Sequence, residues 1–233
     1  MLWPVWLMAS AADQYVKAQN GAVKLAIRDL RSYWGGLDLS NGIASRNALE
    51  GFWPELLAKY GEVTATLAAD RFESLVGMPA TMVRPVDADR ANARMRWAID
   101  PLFAGDGDAW GRMAGLTDEL VKQPGRSSMI RSSTSQKIRF ARVPTGADTC
   151  TWCLMLASRG AIYVSAETAK KSSRVLVAGK FHSDCNCAVE PVKTDDDLAR
   201  LGADGYDPAA LYTRWQDSLA AEEASREMAK ASK

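Results

Sequence analysis

Apolar side chains recur every three to four positions over much of the first half of this chain, which is the spacing of one helical face. From about Ala11 to Trp34 they fall at Tyr15, Val16, Val23, Ala26, Ile27, Leu30 and Trp34, and Gly35-Gly36 closes the stretch. A second pattern runs from about Ser45 to Val76 through Leu49, Phe52, Trp53, Leu56, Leu57, Tyr60, Val63, Leu67, Phe72 and Leu75. Pro54 sits inside it. Proline lacks an N–H and its ring crowds the preceding turn, so the helix is expected to restart there. "VGMPATMVRP" reads as a linker, after which Asp87 or Asp89 offers an N-cap for a helix over residues 91 to 99. A further helix is predicted over 109 to 121, ended by "KQPGRSS".

After Gly125 the texture changes. "SSMIRSSTSQKIRFARVPTG" is rich in Ser, Thr and β-branched residues, and "GAIYVSA", "VLVAGKFH" and "CAVEPVK" read as short strands. Between them "DTCTWCLMLASRG" reads as a short helix capped by Asp148 and stopped by Gly160. Near the C-terminus, Asp207-Pro208 supply an N-cap and a first-turn proline for a helix carrying Leu211, Trp215 and Leu219. Beyond Ala220 that helix has no apolar face and is expected to fray. The pattern predicts an α+β chain in three parts: a mostly helical domain over 1–122, a small α+β module pinned by Cys and His over 123–194, and a helical extension over 195–233.

Composition adds bounds. The chain has 233 residues, 47% hydrophobic and 24% charged, enough to bury a core without help. No run approaches the ~20 apolar residues that span a bilayer, so neither a membrane nor, in the absence of any cofactor fingerprint, a small-molecule substrate is expected. The opening Leu2 to Met8 is apolar, but the first Lys is Lys17; a secretory signal needs a basic start, so this segment is read as buried or interface-facing. Net charge is +1, yet Val121 to Ser183 holds eleven basic residues against two acids. That local charge of +9 suits a polyanion such as double-stranded DNA or an acidic protein face, or else a solvated surface neutralised by the rest of the fold.

The chemistry is concentrated in one place. All four Cys and the sole His lie within 38 residues, as Cys150-x2-Cys153 and His182-x2-Cys185-x-Cys187. Thiolates paired at such spacing can converge on one zinc ion at ~2.3 Å, so Cys150, Cys153, His182, Cys185 and Cys187 are five candidates for four places. Disulfides and ordinary buried thiols are the alternatives, the former disfavoured in a reducing compartment. No Glu follows His182 by two places, as zinc deaminases require, and one histidine cannot supply His-Glu-x-x-His. There is no P-loop, no Gly-x-Gly-x-x-Gly after a strand and no Gly-x-Ser-x-Gly. A nucleophilic Cys activated by His182 is the one catalytic arrangement these residues allow.

The run "RVPTGADTCTWCLMLASRG" followed by "FHSDCNCAVEPV" resembles the C-terminal module of the phage Mu F-like (MuF) head morphogenesis proteins, minor capsid proteins of tailed bacteriophages. The resemblance covers residues 126 to 193. It rests on Asp148, Thr149, Cys150 and Cys153 in the first element and on His182, Cys185 and Cys187 in the second, with Ser183 and Asn186 where relatives usually carry Pro and Arg. It implies a non-enzymatic virion or prohead component acting in head assembly near the portal, touching portal, capsid or scaffold proteins and packaged DNA. Some relatives are capsid maturation proteases, which makes a Cys/His peptidase the alternative. A cellular zinc-ribbon nucleic-acid binder is a third reading.

Overall fold

The proline expected to divide the second helix does not divide it. In a computed structural model of the chain, which describes residues 11–105, 107–145, 149–162, 185 and 187–231, helix α2 runs unbroken over Gly42–Val76 after α1 at Ala11–Trp34. Pro54 cannot donate to the carbonyl four residues back, that of Glu50. The side-chain Nδ2 of Asn92 donates to that carbonyl instead, at 3.2 Å. Asn92 belongs to α3, Ala88–Ala98, whose first turn is held by Asp87, the side chain of which accepts from the Arg90 N–H.

A short α4, Pro101–Ala104, leads to α5, Ala109–Ser135, which continues through Pro124-Gly125 where a break was expected. Tertiary contact overrides local propensity here. The Thr64 hydroxyl donates to the Val121 carbonyl at 2.6 Å, beside the gap that Pro124 leaves in the helical ladder. A Cβ placed on Gly125 would lie 2.6 Å from the Thr64 carbonyl oxygen, and one on Gly61 would lie 2.9 Å from the Pro85 ring and 3.1 Å from that of Pro124. The backbones of α2 and α5 therefore touch, and between Tyr60 and Phe72 the buried face of α2 is built from Gly61, Thr64, Ala65, Ala68 and Ala69. Val63, expected in the core, is exposed instead. The linker after α2 is extended, its Thr81 and Val83 N–H groups donating to the hydroxyls of Ser132 and Ser128 at 2.7 and 2.8 Å.

The chain divides into two compact units, one built on residues 13–132 and the other on the described residues from 133 on. The first has a core that includes Leu30, Leu49, Trp53, Leu57, Met95, Ile99, Met113 and Leu120. Trp53 at its centre donates its indole N–H to the Thr117 hydroxyl at 3.0 Å, so the one polar atom of that buried ring is satisfied.

The second unit is α+β. Strand β1, Arg139–Val143, pairs antiparallel with β2, Ala188–Val192, with Ala141 opposite Glu190 and Arg142 opposite Val189. Around the pair lie α6, Thr151–Ala157, α7, Asp195–Ala203, and α8, Pro208–Ala231. One sheet face supplies Ala141, Val143 and Val192 to a small core with Leu154, Ala157, Leu201, Tyr206 and Leu211. Helix α7 starts at a capping box between Thr194 and Asp197, and α8 starts where Asp207 accepts from the N–H groups of Ala209 and Ala210. Past Ala220, α8 stays helical to Ala231, with the side chains of 221–230 in solvent, where fraying was expected. The N-terminal segment Leu2 to Met8, the expected Asp148 cap and nearly all of the strands read in "GAIYVSA" and "VLVAGKFH" lie outside the described residues.

Candidate metal centre

Two local structures bring the thiols together. Helix α6 begins at Cys150, whose backbone is extended (φ −67°, ψ 154°) and whose sulfur accepts the Cys153 N–H at 3.4 Å. One turn on, Cys153 faces inward. On the other side, Cys187 directly precedes β2, and the alternation of a strand puts it on the same side as Val189, the partner of Arg142. Cys185 shares that alternation.

The sulfurs of Cys153, Cys185 and Cys187 all lie within 4.8 Å of one another, and all three residues are buried. Cys153 and Cys185 are closest, Sγ to Sγ 3.5 Å. Four sulfurs around a zinc ion at ~2.3 Å stand about 3.8 Å apart in a tetrahedron. The donor set and its spacing thus fit a thiophilic ion after sub-ångström adjustment. Cys150 is exposed and is not one of the three, and His182 lies outside the described residues.

Without metal, Cys153 and Cys187 hold their protons. The Cys153 thiol is pushed up by its hydrogen bonds with Cys185 and then Cys187, and further by burial. For Cys187 the bond with Cys153 works downward, but the one with Cys185 and burial outweigh it, and the thiol is pushed up to about 11. A buried thiol of this kind is a poor nucleophile at neutral pH, whereas a divalent ion displaces its proton and takes the thiolate as ligand.

Sequence reasoning missed Arg142. Its side chain is fully buried, and Nη2 donates to the sulfurs of Cys153 at 3.6 Å and Cys185 at 3.5 Å. The available signal was alternation: in "RFARV", Arg142 shares a face with the apolar Phe140. The +9 segment also loses part of its outward field, because Lys122, Arg126 and Arg142 are all buried. Lys122 is held 2.7 Å from Asp118 one turn back. Arg131, Lys137 and Arg159 are exposed.

Residues 7–218 match the model of the VG15 protein family, a stretch that takes in the first compact unit, the second as far as the middle of α8, and every cysteine. This chain belongs to the VG15 family. Among curated proteins, the Gene 15 protein of Mycobacterium phage D29 is 30% identical to it over 134 residues, which are 52% of this chain and 48% of that protein. The VG15 chain thus spans about half the length of that phage relative. No solved structure matches it. Among the described residues no helix is long and apolar enough to cross a membrane. A phage-encoded VG15 protein with a buried three-cysteine group able to hold a metal is what sequence and geometry together establish.

Proposed function

We propose that this chain is a minor capsid protein of a tailed phage, of the MuF kind, that acts in prohead assembly near the portal and whose second unit is pinned by a structural zinc ion. The observation that carries the reading is the convergence of Cys153 with Cys185 and Cys187, which ties α6 to β2 across 32 positions of sequence. A two-stranded sheet with a core of this size gains stability from such a staple. Zinc suits a closed, sulfur-rich and water-poor set, with Cys150 or His182 as the fourth ligand. The phage origin of the relative and the family match support a role in the virion.

The partners that fit are head proteins first: portal, capsid or scaffold. DNA is the weaker partner, because three of the basic residues that suggested it are buried. A capsid-maturing cysteine peptidase draws less support, since the burial and raised pKa of Cys153 and Cys187 work against a thiolate. The test is mass spectrometry of purified virions and proheads of the encoding phage, with metal analysis of the chelator-washed recombinant chain. The chain is expected in particles at few copies relative to the major capsid protein, with about one zinc per chain. Absence from both virions and proheads refutes the capsid role, and a metal-free chain refutes the zinc pin.

A further inference from the structure

We infer that Arg142 is the counter-charge of the cysteine centre: its guanidinium, held inside the fold, donates hydrogen bonds to the metal-bound sulfurs of Cys153 and Cys185 and offsets the charge that three thiolates leave on a divalent ion. This rests on the metal reading given above and goes beyond it, because it assigns a role to a residue that is not a ligand.

The argument begins from charge. Three thiolates on a divalent ion sum to one negative charge, and an arginine, which stays protonated in proteins, brings that sum to zero. A lone buried charge of either sign is costly, so the centre and the guanidinium each make the burial of the other feasible. Geometry agrees. Arg142 is fully buried, and the same Nη2 reaches two sulfurs at 3.5 and 3.6 Å, the range of an N–H···S bond. Strand register holds it there: Arg142 pairs with Val189, two residues after Cys187, so the antiparallel ladder that fixes the strands also fixes the guanidinium beside the thiols. Donors to a ligating atom orient it and tune its donor strength, and their loss commonly costs ~10–100-fold in metal affinity.

Neutrality also bears on the fourth place. With Arg142 present, a neutral fourth ligand leaves the buried cluster uncharged, while a fourth thiolate leaves it at minus one.

The experiment uses the full chain as wild type, Arg142→Met and Arg142→Lys. Zinc affinity is measured by chelator competition, and the sulfur-to-cobalt charge-transfer band is recorded on the Co(II) forms. Arg142→Met is expected to weaken zinc by ~10–100-fold and to move the band to lower energy, because a thiolate without its hydrogen bond gives up charge more easily. Arg142→Lys, which keeps the charge, is expected to recover most of the affinity and to keep a band between the other two. A purely structural role would lower stability and leave the band of the loaded protein where it was. If Arg142→Met does not fold, Arg142→Gln, which keeps a donor and loses the charge, decides: wild-type affinity with an unshifted band overturns the inference, and an affinity lowered ~10–100-fold supports it. Wild type that takes up neither zinc nor cobalt overturns the metal reading and this inference with it. Wild type that binds, with Arg142→Met equal to it in affinity and band, overturns this inference alone.

Discussion

Replacing Cys185 by Ser removes one of the three converging sulfurs and barely changes the size of a side chain that is buried. Packing loss is therefore small. Without metal, the variant exchanges the sulfur contacts to Arg142 and Cys153, 3.5 Å each, for weaker hydroxyl ones, a cost of about 1 kcal/mol. With zinc at a hundredfold excess over its Kd, the wild-type fold gains about 2.7 kcal/mol by linkage, which a two-sulfur site forfeits. The destabilisation should thus rise from about 1 kcal/mol in chelator to about 4 kcal/mol in zinc. Because the core around β1, β2 and α6 is small, built mostly of Ala, Val and Leu, the loss should appear as local opening of that unit. The assay is urea unfolding read by limited proteolysis, with cleavage sites mapped separately in residues 13–132 and from 133 on. Cleavage after 133 should move to lower urea in the variant, the more so in zinc, while 13–132 keeps its midpoint. A zinc-induced shift of equal size in wild type and variant, or none in either, refutes the reasoning.

Gly125→Ala sets a Cβ 2.6 Å from the Thr64 backbone carbonyl and should destabilise residues 13–132 by about 2–3 kcal/mol in urea unfolding; an unchanged midpoint would mean that α2 and α5 do not touch as described. Cys150→Ser keeps an N-cap acceptor on α6, so helix content should hold and zinc affinity should stay within about tenfold of wild type; complete loss of zinc would instead make Cys150 a ligand. Asp29 accepts from Tyr60 and then Arg28, which holds its carboxyl below the usual value. Its stabilising effect is therefore complete above about pH 4 and is lost as pH falls through the lower folded value, so Asp29→Asn should flatten the fall in urea midpoint below about pH 4. An equally steep fall in the variant rejects that assignment.

Helices were legible wherever large apolar residues form the buried stripe. The span read for α1 is the span observed, and Leu49, Trp53, Leu56, Leu57 and Tyr60 of α2 are all buried as read. Legibility ends where burial depends on smallness. Gly61, Ala65, Ala68 and Gly125 carry little hydrophobic signal, yet they permit the close crossing that keeps α5 helical through Pro124. Pro54 teaches the same lesson: what rescues its turn is Asn92, in another helix. At the centre, the spacing of the cysteines announced convergence. Which of them converge follows from the rotation of α6, with Cys150 spent on the cap and Cys153 one turn further in.

The buried cations change what the basic segment can be asked to do. Eleven basic residues lie between Val121 and Ser183, and if each met a phosphate, log K would fall against log salt with a slope of about −10. Lys122, Arg126 and Arg142 are inside the fold, one of them paired with Asp118 and another set against sulfur, which leaves at most eight. One of those eight, Arg139, is already 3.7 Å from Asp195. This segment should therefore contribute no more than about −7 to the slope of duplex DNA binding, measured by fluorescence anisotropy over a range of salt. A contribution near −10 from this segment would require the fold to open and release its interior cations to the DNA, and a zinc ion bound at the cysteines as proposed would then weaken DNA binding. A shallow slope unaffected by zinc leaves Arg142 with the thiols and directs the search for partners towards the head proteins.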